Sequence, residues 1–201
     1  MSNVDTLVLS SGGIKSLIAA ASLGRSGVGM LFVHDGRPAT ARRKAKFLEQ
    51  AEYLGAARRI ELAMTHLTAV VEEMVRRTPL HRLQLLNAAM GQAARLGADR
   101  LVWPVCVGED FDAVGKVAEL LVLVEHAASV EGGRGIRIET PLLEFTPAQL
   151  IEAGEQMSLP WAMTRSCEAA DEQPCGACIG CRQRADAFAA VGTADPALAT
   201  R

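Results

Sequence analysis

Short apolar runs alternate along this chain with longer segments in which apolar residues recur every three or four positions. The first run covers residues 6–9, a segment of helical period follows over 14–26, and a second apolar run covers 30–34. Short apolar runs are typical of buried strands, and the longer periodic segments are typical of helices packed on one side. The chain therefore begins with a predicted β-α-β unit.

The same alternation continues to residue 139. Further helices are predicted over 40–54, 82–96 and 113–130, and further strands over 57–62, 101–107 and 136–139. Strands that alternate with helices in this way predict an α/β fold with a doubly wound, mainly parallel sheet and helices on both of its faces. In such folds the ligand site lies at the carboxyl ends of the strands.

The chain after residue 140 differs, because prolines interrupt it at positions 141, 147, 160 and 174. One short helix is predicted over 147–156. Too few apolar residues surround the cysteines that follow for burial alone to hold them, so a bound metal would stabilise this segment. We therefore predict two units, an α/β domain over 1–140 and a small helical segment over 141–201 that carries the cysteines and packs on it.

Charge and hydropathy narrow the class of protein. The 21 basic and 23 acidic residues give a formal net charge of -2, which predicts no general attraction to nucleic acid or to a membrane surface. No apolar stretch reaches the roughly 18 to 20 uncharged residues of a membrane span, and residues 1–13 lack the features of a secretory signal. We therefore expect a cytoplasmic protein, in whose reducing compartment cysteines remain thiols.

Four cysteines lie close together in the last part of the sequence: Cys167, Cys175, Cys178 and Cys181. Two overlapping C-x-x-C steps predict thiolate ligands around one tetrahedral Zn²⁺, with Zn–S distances of about 2.3 Å. Four sulfur ligands fill the coordination shell, so a structural site is predicted. Two alternatives remain open, an iron–sulfur cluster and a set of free or redox-active thiols. The fifth cysteine, Cys106, is predicted to be a small core residue.

A loop rich in glycine and serine joins the first strand to the first helix, with the sequence Ser10-Ser11-Gly12-Gly13-Ile14-Lys15-Ser16. The two glycines allow backbone N–H groups to face an anion, and the hydroxyls of Ser11 and Ser16 add donors. The helix N-terminus adds a partial positive charge. The loop lacks the longer GxxxxGK pattern of a P-loop, but it is still predicted to bind phosphate.

This loop resembles the S-G-G-x-D-S pyrophosphate loop, or PP-loop, of the N-type ATP pyrophosphatases. Together with the cysteines, it is similar to the 7-cyano-7-deazaguanine synthase family, also called QueC or ExsB, of queuosine biosynthesis. The other motifs that carry the resemblance are Glu139-Thr140-Pro141-Leu142, Thr164-Arg165-Ser166-Cys167, Pro174, Gly176, Arg182, Arg184, Phe188, Gly192 and Asp195-Pro196. The resemblance extends along most of the chain.

The resemblance implies a fold like that of the adenine nucleotide alpha hydrolases, a structural Zn²⁺ on the four cysteines, and a homodimer. It also implies a carbon–nitrogen ligase that uses ATP and Mg²⁺. That enzyme adenylates 7-carboxy-7-deazaguanine, lets ammonia displace AMP to form an amide, and repeats the activation to form the nitrile. The residues expected to contact the pyrophosphate are Ser11, Gly12, Gly13 and Ser16.

The sequence departs from the family pattern at four places near the predicted active site. Lys15 replaces the aspartate of the loop, and Glu168 replaces the tyrosine after the first zinc cysteine. Residues 79–82 replace a Pro-x-Arg-Asn motif, and residues 111–116 stand roughly where a Tyr-Pro-Asp-Cys-Arg stretch is missing. Lys15 either neutralises phosphate in catalysis, together with Ser16, or points to solvent in a loop that no longer binds nucleotide.

Two further polar groups follow strands at the predicted ligand edge. His34 ends the second strand and is predicted to contact the cofactor. Glu109, Asp110 and Asp112 follow the fourth strand, where they either hold Mg²⁺ or a purine-like amidine, or lie in a solvated loop. The basic residues within 42–46 are predicted to form one face of a helix.

These patterns favour a diverged ligase of this family, acting on a small acid or purine-like substrate with ammonia. One alternative is a non-catalytic paralogue that binds a nucleotide or a purine. The other is a ligase for a different carboxylic acid. No side chain need act as a nucleophile in the ligase, because ATP itself activates the acid.

Overall fold

The protein is described here from a computed structural model that covers residues 4–24, 26–71, 74–132 and 135–197, without the side chains of 70, 71, 74 and 75. The strands are β1 (Thr6–Ser10), β2 (Val28–His34), β3 (Arg58–Ala63), β4 (Thr68–Val71), β5 (Met74–Arg77), β6 (Arg100–Val102) and β7 (Arg137–Glu139). The helices are α1 (Ile14–Ala21), α2 (Thr40–Tyr53), α3 (His81–Leu96), α4 (Phe111–Gly132), α5 (Pro147–Gln156) and α6 (Ile179–Val191).

Five strands form one parallel sheet in the order β3-β2-β1-β6-β7, and β4 pairs with β5 in a separate antiparallel hairpin. The strand order reverses beside β1, which is the point where doubly wound sheets open a crevice at their carboxyl edge. The predicted α/β class with a mainly parallel sheet is confirmed. The edge of β1 and β6 is thus the place to look for a site.

Strand β1 is buried on both sides and separates two apolar cores. Val8 faces a core shared with α1, α2, α5 and α6, while Leu7 and Leu9 face a second core built with α3 and α4. This alternation follows from the period of two in a strand. The segment after residue 140 contributes Ile151, Trp161 and Phe188 to the first of these cores. The proposed unit boundary at residue 140 stays a prediction.

Several elements differ from the predicted ones for local reasons. Helix α1 ends at Ala21, because a turn follows in which Gly24 has a positive φ angle. Strand β6 ends at Val102, before Pro104, which has no N–H to donate to a neighbouring strand. The β4–β5 hairpin was not predicted. None of the described helices is long and apolar enough to cross a membrane.

Candidate functional site

The glycine loop between β1 and α1 is wound around one hydroxyl group. The Ser16 Oγ accepts hydrogen bonds from the N–H groups of Ser11 and Gly13 at 3.2 and 3.3 Å, and it donates to the Gly13 carbonyl at 3.1 Å. Both N–H contacts are longer than the usual 2.9 to 3.0 Å or so, so these donors are weakly used. Ser16 itself is fully buried. The loop therefore presents N–H groups that an anion could recruit.

Gly12 is required for the loop to lie where it does. Its φ angle is +67°, and a Cβ at this position would stand 2.1 Å from the backbone oxygen of Arg43 on α2. Any side chain here would push the loop away from α2. The Arg43 Nε in turn donates to the Ser11 carbonyl at 3.1 Å. The loop is thus held against α2 from both sides of Gly12.

A second contact ties the loop to the segment that carries the cysteines. The backbone N–H of Arg165 donates to the Gly12 carbonyl at 2.9 Å. The Gln50 side chain, which is fully buried, donates to the carbonyls of Gly13 and Met163 at 3.4 and 2.8 Å. The glycine loop is therefore held by residues that are distant in sequence, since Gln50 lies 37 positions after Gly13 and Met163 lies 113 positions after Gln50.

Positive charge surrounds the loop. Lys15 reaches solvent beside the cleft, by which we mean the region between the glycine loop and the side chains of Arg43, Arg77 and Arg82. The surrounding protein still buries enough of its ammonium group to lower the pKa of Lys15. The guanidinium groups of Arg43, Arg77 and Arg82 lower that pKa further, while the nearby Cys106 opposes them. These four cations come from α1, α2, β5 and α3. Their convergence makes this end of the cleft suited to a polyanion.

The burial of Arg43 was not predicted from the sequence, which indicated only that Arg43 lies with other basic residues on one face of a helix. The structure shows that it is buried, and that burial, followed by the charge of Arg37, lowers the pKa of its guanidinium. A guanidinium stays protonated even so. Apart from the Nε contact with Ser11, it donates no hydrogen bond to the described residues. Its terminal nitrogens are therefore free to contact a ligand.

The loop after β2 carries a buried carboxylate that orders the neighbouring arginines. Asp35 accepts from Arg37 at 2.6 Å and from Arg77 at 3.1 Å. Burial raises the pKa of Asp35, but Arg37 and Arg77 outweigh that effect and hold it below its ordinary value. Arg37 also contacts Glu168 at 3.3 Å, the residue next to the first cysteine. The sequence signal for this network is an acidic residue, Glu168, directly after the first cysteine.

His34, predicted to contact the cofactor, has a different partner in this structure. Its Nε2 lies 2.8 Å from Glu61 Oε2 on β3, and Lys44 contacts the same oxygen at 2.8 Å. Its ring also stacks edge-on against Phe32 at 5.1 Å. The cofactor contact stays a prediction, and it would require His34 to exchange Glu61 for a ligand.

The acidic residues after β6 lie at the start of α4, next to a groove whose lining includes no residue of the glycine loop. Glu109 lines a groove of about 560 Å³ between the start of α4 and α5, together with Glu144 and Glu152. Asp110 accepts from the Ala113 N–H at 3.0 Å, as an N-terminal helix cap. The groove also contains Phe111, whose side chain is 82 % exposed. Its acidity suits an amidine or another cationic group better than phosphate.

The four cysteines converge as predicted. The sulfur atoms of Cys167, Cys175, Cys178 and Cys181 all lie within 4.8 Å of one another. Tetrahedral Zn–S bonds of about 2.3 Å place sulfur atoms about 3.8 Å apart, so the set fits one metal ion. Gly180 allows this convergence, because a Cβ there would stand 2.3 Å from the Ser166 carbonyl oxygen.

The environments of the thiols differ in a way that suits metal ligation. Cys167 Sγ accepts from the N–H groups of Ala169 and Cys175 at 3.4 and 3.3 Å. Hydrogen bonds from the amides of Cys178 and Ala177 lower the pKa of Cys175 to about 6. Burial raises the pKa of Cys181 to about 12. The backbone thus stabilises thiolate on the outer side of the cluster.

A buried ion pair supports the cysteine segment from beneath. Arg184 on α6 forms two hydrogen bonds with the carboxylate of Asp195, at 2.7 and 2.8 Å, and a third with Thr164 Oγ1 at 2.7 Å. Its guanidinium also lies 5.2 Å from the centre of the Phe188 ring. Arg184 thus ties α6 to Thr164, three residues before the first cysteine, and to Asp195.

Comparison with known proteins gives a consistent picture. The family described as "Queuosine biosynthesis protein QueC" matches residues 5–192. The 7-cyano-7-deazaguanine synthase of Pseudomonas aeruginosa is 38 % identical over 130 residues, which cover 59 % of this chain and 56 % of that protein. The synthase of Methylococcus capsulatus is 37 % identical over the same length and the same shares. The matched part thus spans little more than half of these relatives.

The fold is shared more widely. The structure of the U34-tRNA thiolase NcsA from Methanococcus maripaludis, with its 4Fe-4S cluster, matches 94 % of this chain and 64 % of that chain. The TM-score is 0.52 and the sequence identity 16 %. A likeness at this identity shows a common architecture.

Proposed function

This chain is a member of the QueC family, and from that membership we propose that it is an ATP-dependent carbon–nitrogen ligase. The proposed reaction converts 7-carboxy-7-deazaguanine and ammonia into 7-cyano-7-deazaguanine, a queuosine precursor. The observation that carries the proposal is the loop around Ser16, whose N–H groups lie beside Lys15 and Arg43 at the carboxyl edge of the sheet.

In the first half of the proposed reaction, the substrate carboxylate attacks the α-phosphorus of ATP and pyrophosphate leaves. Ammonia then attacks the acyl carbon, AMP leaves with the C–O electron pair, and a proton is released to give the amide. In the second half, the amide oxygen attacks a second ATP in the same way. Loss of AMP and of the remaining N–H protons then leaves the nitrile.

The roles of the residues follow from where charge develops. Negative charge builds up on the departing pyrophosphate, so donors aimed at that position accelerate the step. We assign this role to the N–H groups of Ser11 and Gly13, the Ser16 hydroxyl and the Lys15 ammonium. Gly12 has no side chain to donate a hydrogen bond, and its role is to let the loop lie close to α2.

We propose that Cys167, Cys175, Cys178 and Cys181 hold a structural Zn²⁺, in a protein that works in the reducing cytosol. The four sulfur atoms fit one ion and leave no ligand position open, so the metal would order residues 165–181. Metal analysis of fresh protein tests this assignment. One zinc per chain supports it, whereas iron together with acid-labile sulfide would show an iron–sulfur cluster instead.

Incubation of the full chain with ATP, ammonium and 7-carboxy-7-deazaguanine tests the activity. We expect AMP and the nitrile to appear, measured by liquid chromatography and mass spectrometry. ATP binding by calorimetry without AMP formation would contradict the ligase reading for this acid and favour a non-catalytic binding protein. No ATP binding at all would contradict both.

A second candidate, a ligase for a different carboxylic acid, is favoured by residues 80–82. Leu80 has a left-handed backbone with φ 59°, and its side chain is 70 % exposed beside the cation cluster. His81 and Arg82 bring imidazole and guanidinium groups to the same place. A panel of carboxylic acids, screened for ATP-dependent AMP release, would identify such a substrate by a rate above that with 7-carboxy-7-deazaguanine.

We also propose that the protein forms a homodimer through the outer face of α4. Phe111, Val122, Leu123 and Val130 on this helix are between 64 and 82 % exposed. Glu119 and His126 lie at equal distances, along the helix, from the Val122–Leu123 step. An antiparallel pairing of two copies across that step would place each Glu119 opposite the other copy's His126, so the face is complementary to itself.

A further inference from the structure

The phosphate end of the cleft contains three cations, Lys15, Arg43 and Arg82, that form no ion pair with a carboxylate of the described residues. Asp35 and Glu168 favour the charged form of Arg43, but neither lies within ion-pair distance of it. Lys15 and Arg82 make no hydrogen bond or ion pair with the part of the chain that the structure describes. Arg43 uses only its Nε, on the Ser11 carbonyl. Each of these groups comes from a different helix, so their proximity is a property of the fold. Charge of one sign gathered in this way is typical of a site whose ligand supplies the other sign.

The carboxylates near this cluster are already paired. Asp35 is held by Arg37 and Arg77, and Glu168 by Arg37. Mg²⁺ prefers an octahedral set of oxygen ligands and is usually bound through one or two carboxylates plus substrate phosphates. The glycine loop itself, residues 10–16, carries no carboxylate at all. The donor set around the loop therefore does not fit Mg²⁺.

We propose that this site binds the pyrophosphate end of its nucleotide without a divalent cation, with the Lys15 ammonium taking the place of the metal. Arg43 and Arg82 supply the rest of the positive charge that balances the pyrophosphate. This inference rests on the proposed nucleotide function of the glycine loop, and it goes further by assigning the counter-charge to the chain itself.

Simple electrostatics gives the expected effect of Mg²⁺. Mg²⁺ bound to pyrophosphate removes two negative charges from the ligand, and it would also approach three fixed positive groups. Both effects weaken binding to a cationic site. A charge-assisted contact to phosphate contributes enough that its loss lowers affinity about 10- to 100-fold.

Calorimetric titration of the full chain with inorganic pyrophosphate, once in a buffer freed of Mg²⁺ without a chelator and once in excess Mg²⁺, tests the inference. We expect binding without Mg²⁺ that is at least as tight as with Mg²⁺. Lys15→Met should weaken binding without Mg²⁺ about 10- to 100-fold, with no recovery when Mg²⁺ is added. Lys15→Asp should weaken binding without Mg²⁺ and recover in Mg²⁺, because a carboxylate restores a metal ligand.

The matched control is Arg95→Asp, the same change of charge at an exposed position in the last turn of α3, where Arg95 hydrogen-bonds only Gln92 among the described residues, and it should leave both affinities unchanged. Circular dichroism of each variant checks that the fold is retained, which is expected because Lys15 reaches solvent. Arg82→Gln, a change at a second exposed cation of the cluster, should weaken binding without Mg²⁺ in the same direction. Pyrophosphate binding by the unmodified chain that is tighter in Mg²⁺, or that occurs only in Mg²⁺, would overturn this inference and leave the proposed function standing. Absence of both pyrophosphate and ATP binding in either condition would overturn both.

Discussion

The backbone N–H of Arg165 donates to the carbonyl oxygen of Gly12 at 2.9 Å. Through this bond, the segment that carries the cysteines is joined directly to the loop that is proposed to bind phosphate. Arg165 also donates through its guanidinium to the carbonyls of Ala169, Asp171 and Glu172, so it organises the turn between the first two cysteines. Order in the metal site and order in the glycine loop should therefore be linked.

We predict that loss of the metal weakens phosphate binding at a distance. Cys178→Ser should lower the zinc content well below one per chain, because it leaves three sulfur ligands. The pyrophosphate Kd of the same variant should rise several-fold, since the Arg165 contact becomes less ordered. Zinc analysis and calorimetry measure the two effects. Cys106→Ser is the control for zinc content and should retain the metal, and an unchanged pyrophosphate Kd in Cys178→Ser would contradict the link.

Gly12→Ala should disrupt the loop. The positive φ and the 2.1 Å approach to the Arg43 oxygen together predict a loss of stability of about 2 kcal/mol or more, and loss of pyrophosphate binding. Urea denaturation and calorimetry measure these effects. The matched control is Gly91→Ala in the middle of α3, where a Cβ would meet nothing within 4 Å. That change should raise stability by about 0.5 to 1 kcal/mol.

Removing one partner of the buried pair of Arg184 and Asp195 should lower the free energy of unfolding far more than removing one partner of an exposed pair. Asp195→Asn leaves a buried guanidinium without its counter-charge and is expected to lower the free energy of unfolding by about 3 to 5 kcal/mol. Glu139→Gln, at the half-exposed pair with Arg100, should cost less than about 1 kcal/mol. Equal effects of the two substitutions in urea denaturation would contradict this reading of Asp195.

Phosphate affinity should depend on pH through Lys15. Its pKa in the free protein is lowered by burial and by Arg43, Arg77 and Arg82, with Cys106 opposing them. A bound polyanion favours the protonated form and raises that pKa. Affinity is therefore expected to be full below the lowered pKa and to fall as pH rises through it. Calorimetry over pH measures this, and Lys15→Met provides the profile of the ligand's own titration; identical profiles for the two proteins would refute the prediction.

The charge pattern on α4 gives a test of the proposed dimer. Glu119→Lys should remove the carboxylate that lies opposite the other copy's His126 at each end of the pairing, put an ammonium in its place, and shift the protein towards monomer by at least about 10-fold in dissociation constant. The double variant Glu119→Lys with His126→Glu should restore the dimer. Analytical ultracentrifugation measures both. A monomeric unmodified chain at micromolar concentration would exclude the dimer.

Helices and strands were predicted correctly where the local sequence signals, such as helix caps, were strong. Helix α5 has the predicted bounds because Thr146 and Gln149 form a capping box and Pro147 occupies the first turn. The cysteine cluster was found from spacing alone. In contrast, strand β6 was predicted too long, since an apolar run does not show where pairing with a neighbour ends.

The site was only partly predictable for a related reason. The glycine loop and Lys15 can be recognised in the sequence, but the burial of Arg43 cannot. A basic residue at a given position of a predicted helix gives the same sequence pattern whether its side chain faces solvent or packs against a loop. The partner of Arg43, the Ser11 carbonyl, is 32 residues away. Contacts of that range are set by the packing of whole elements.

The burial of Arg43 should make the stability of the protein depend on the anions in its buffer. Arg43 is a buried cation without an ion-pair partner among the described residues, and Arg37 and Arg77 lie near enough to repel it. An anion that enters the cleft would relieve this repulsion and shift the folding equilibrium by mass action. Phosphate in the surrounding medium would then act as a component of the native state as well as a ligand. Thermal unfolding should accordingly occur at a higher temperature in phosphate than in a chloride buffer of equal ionic strength.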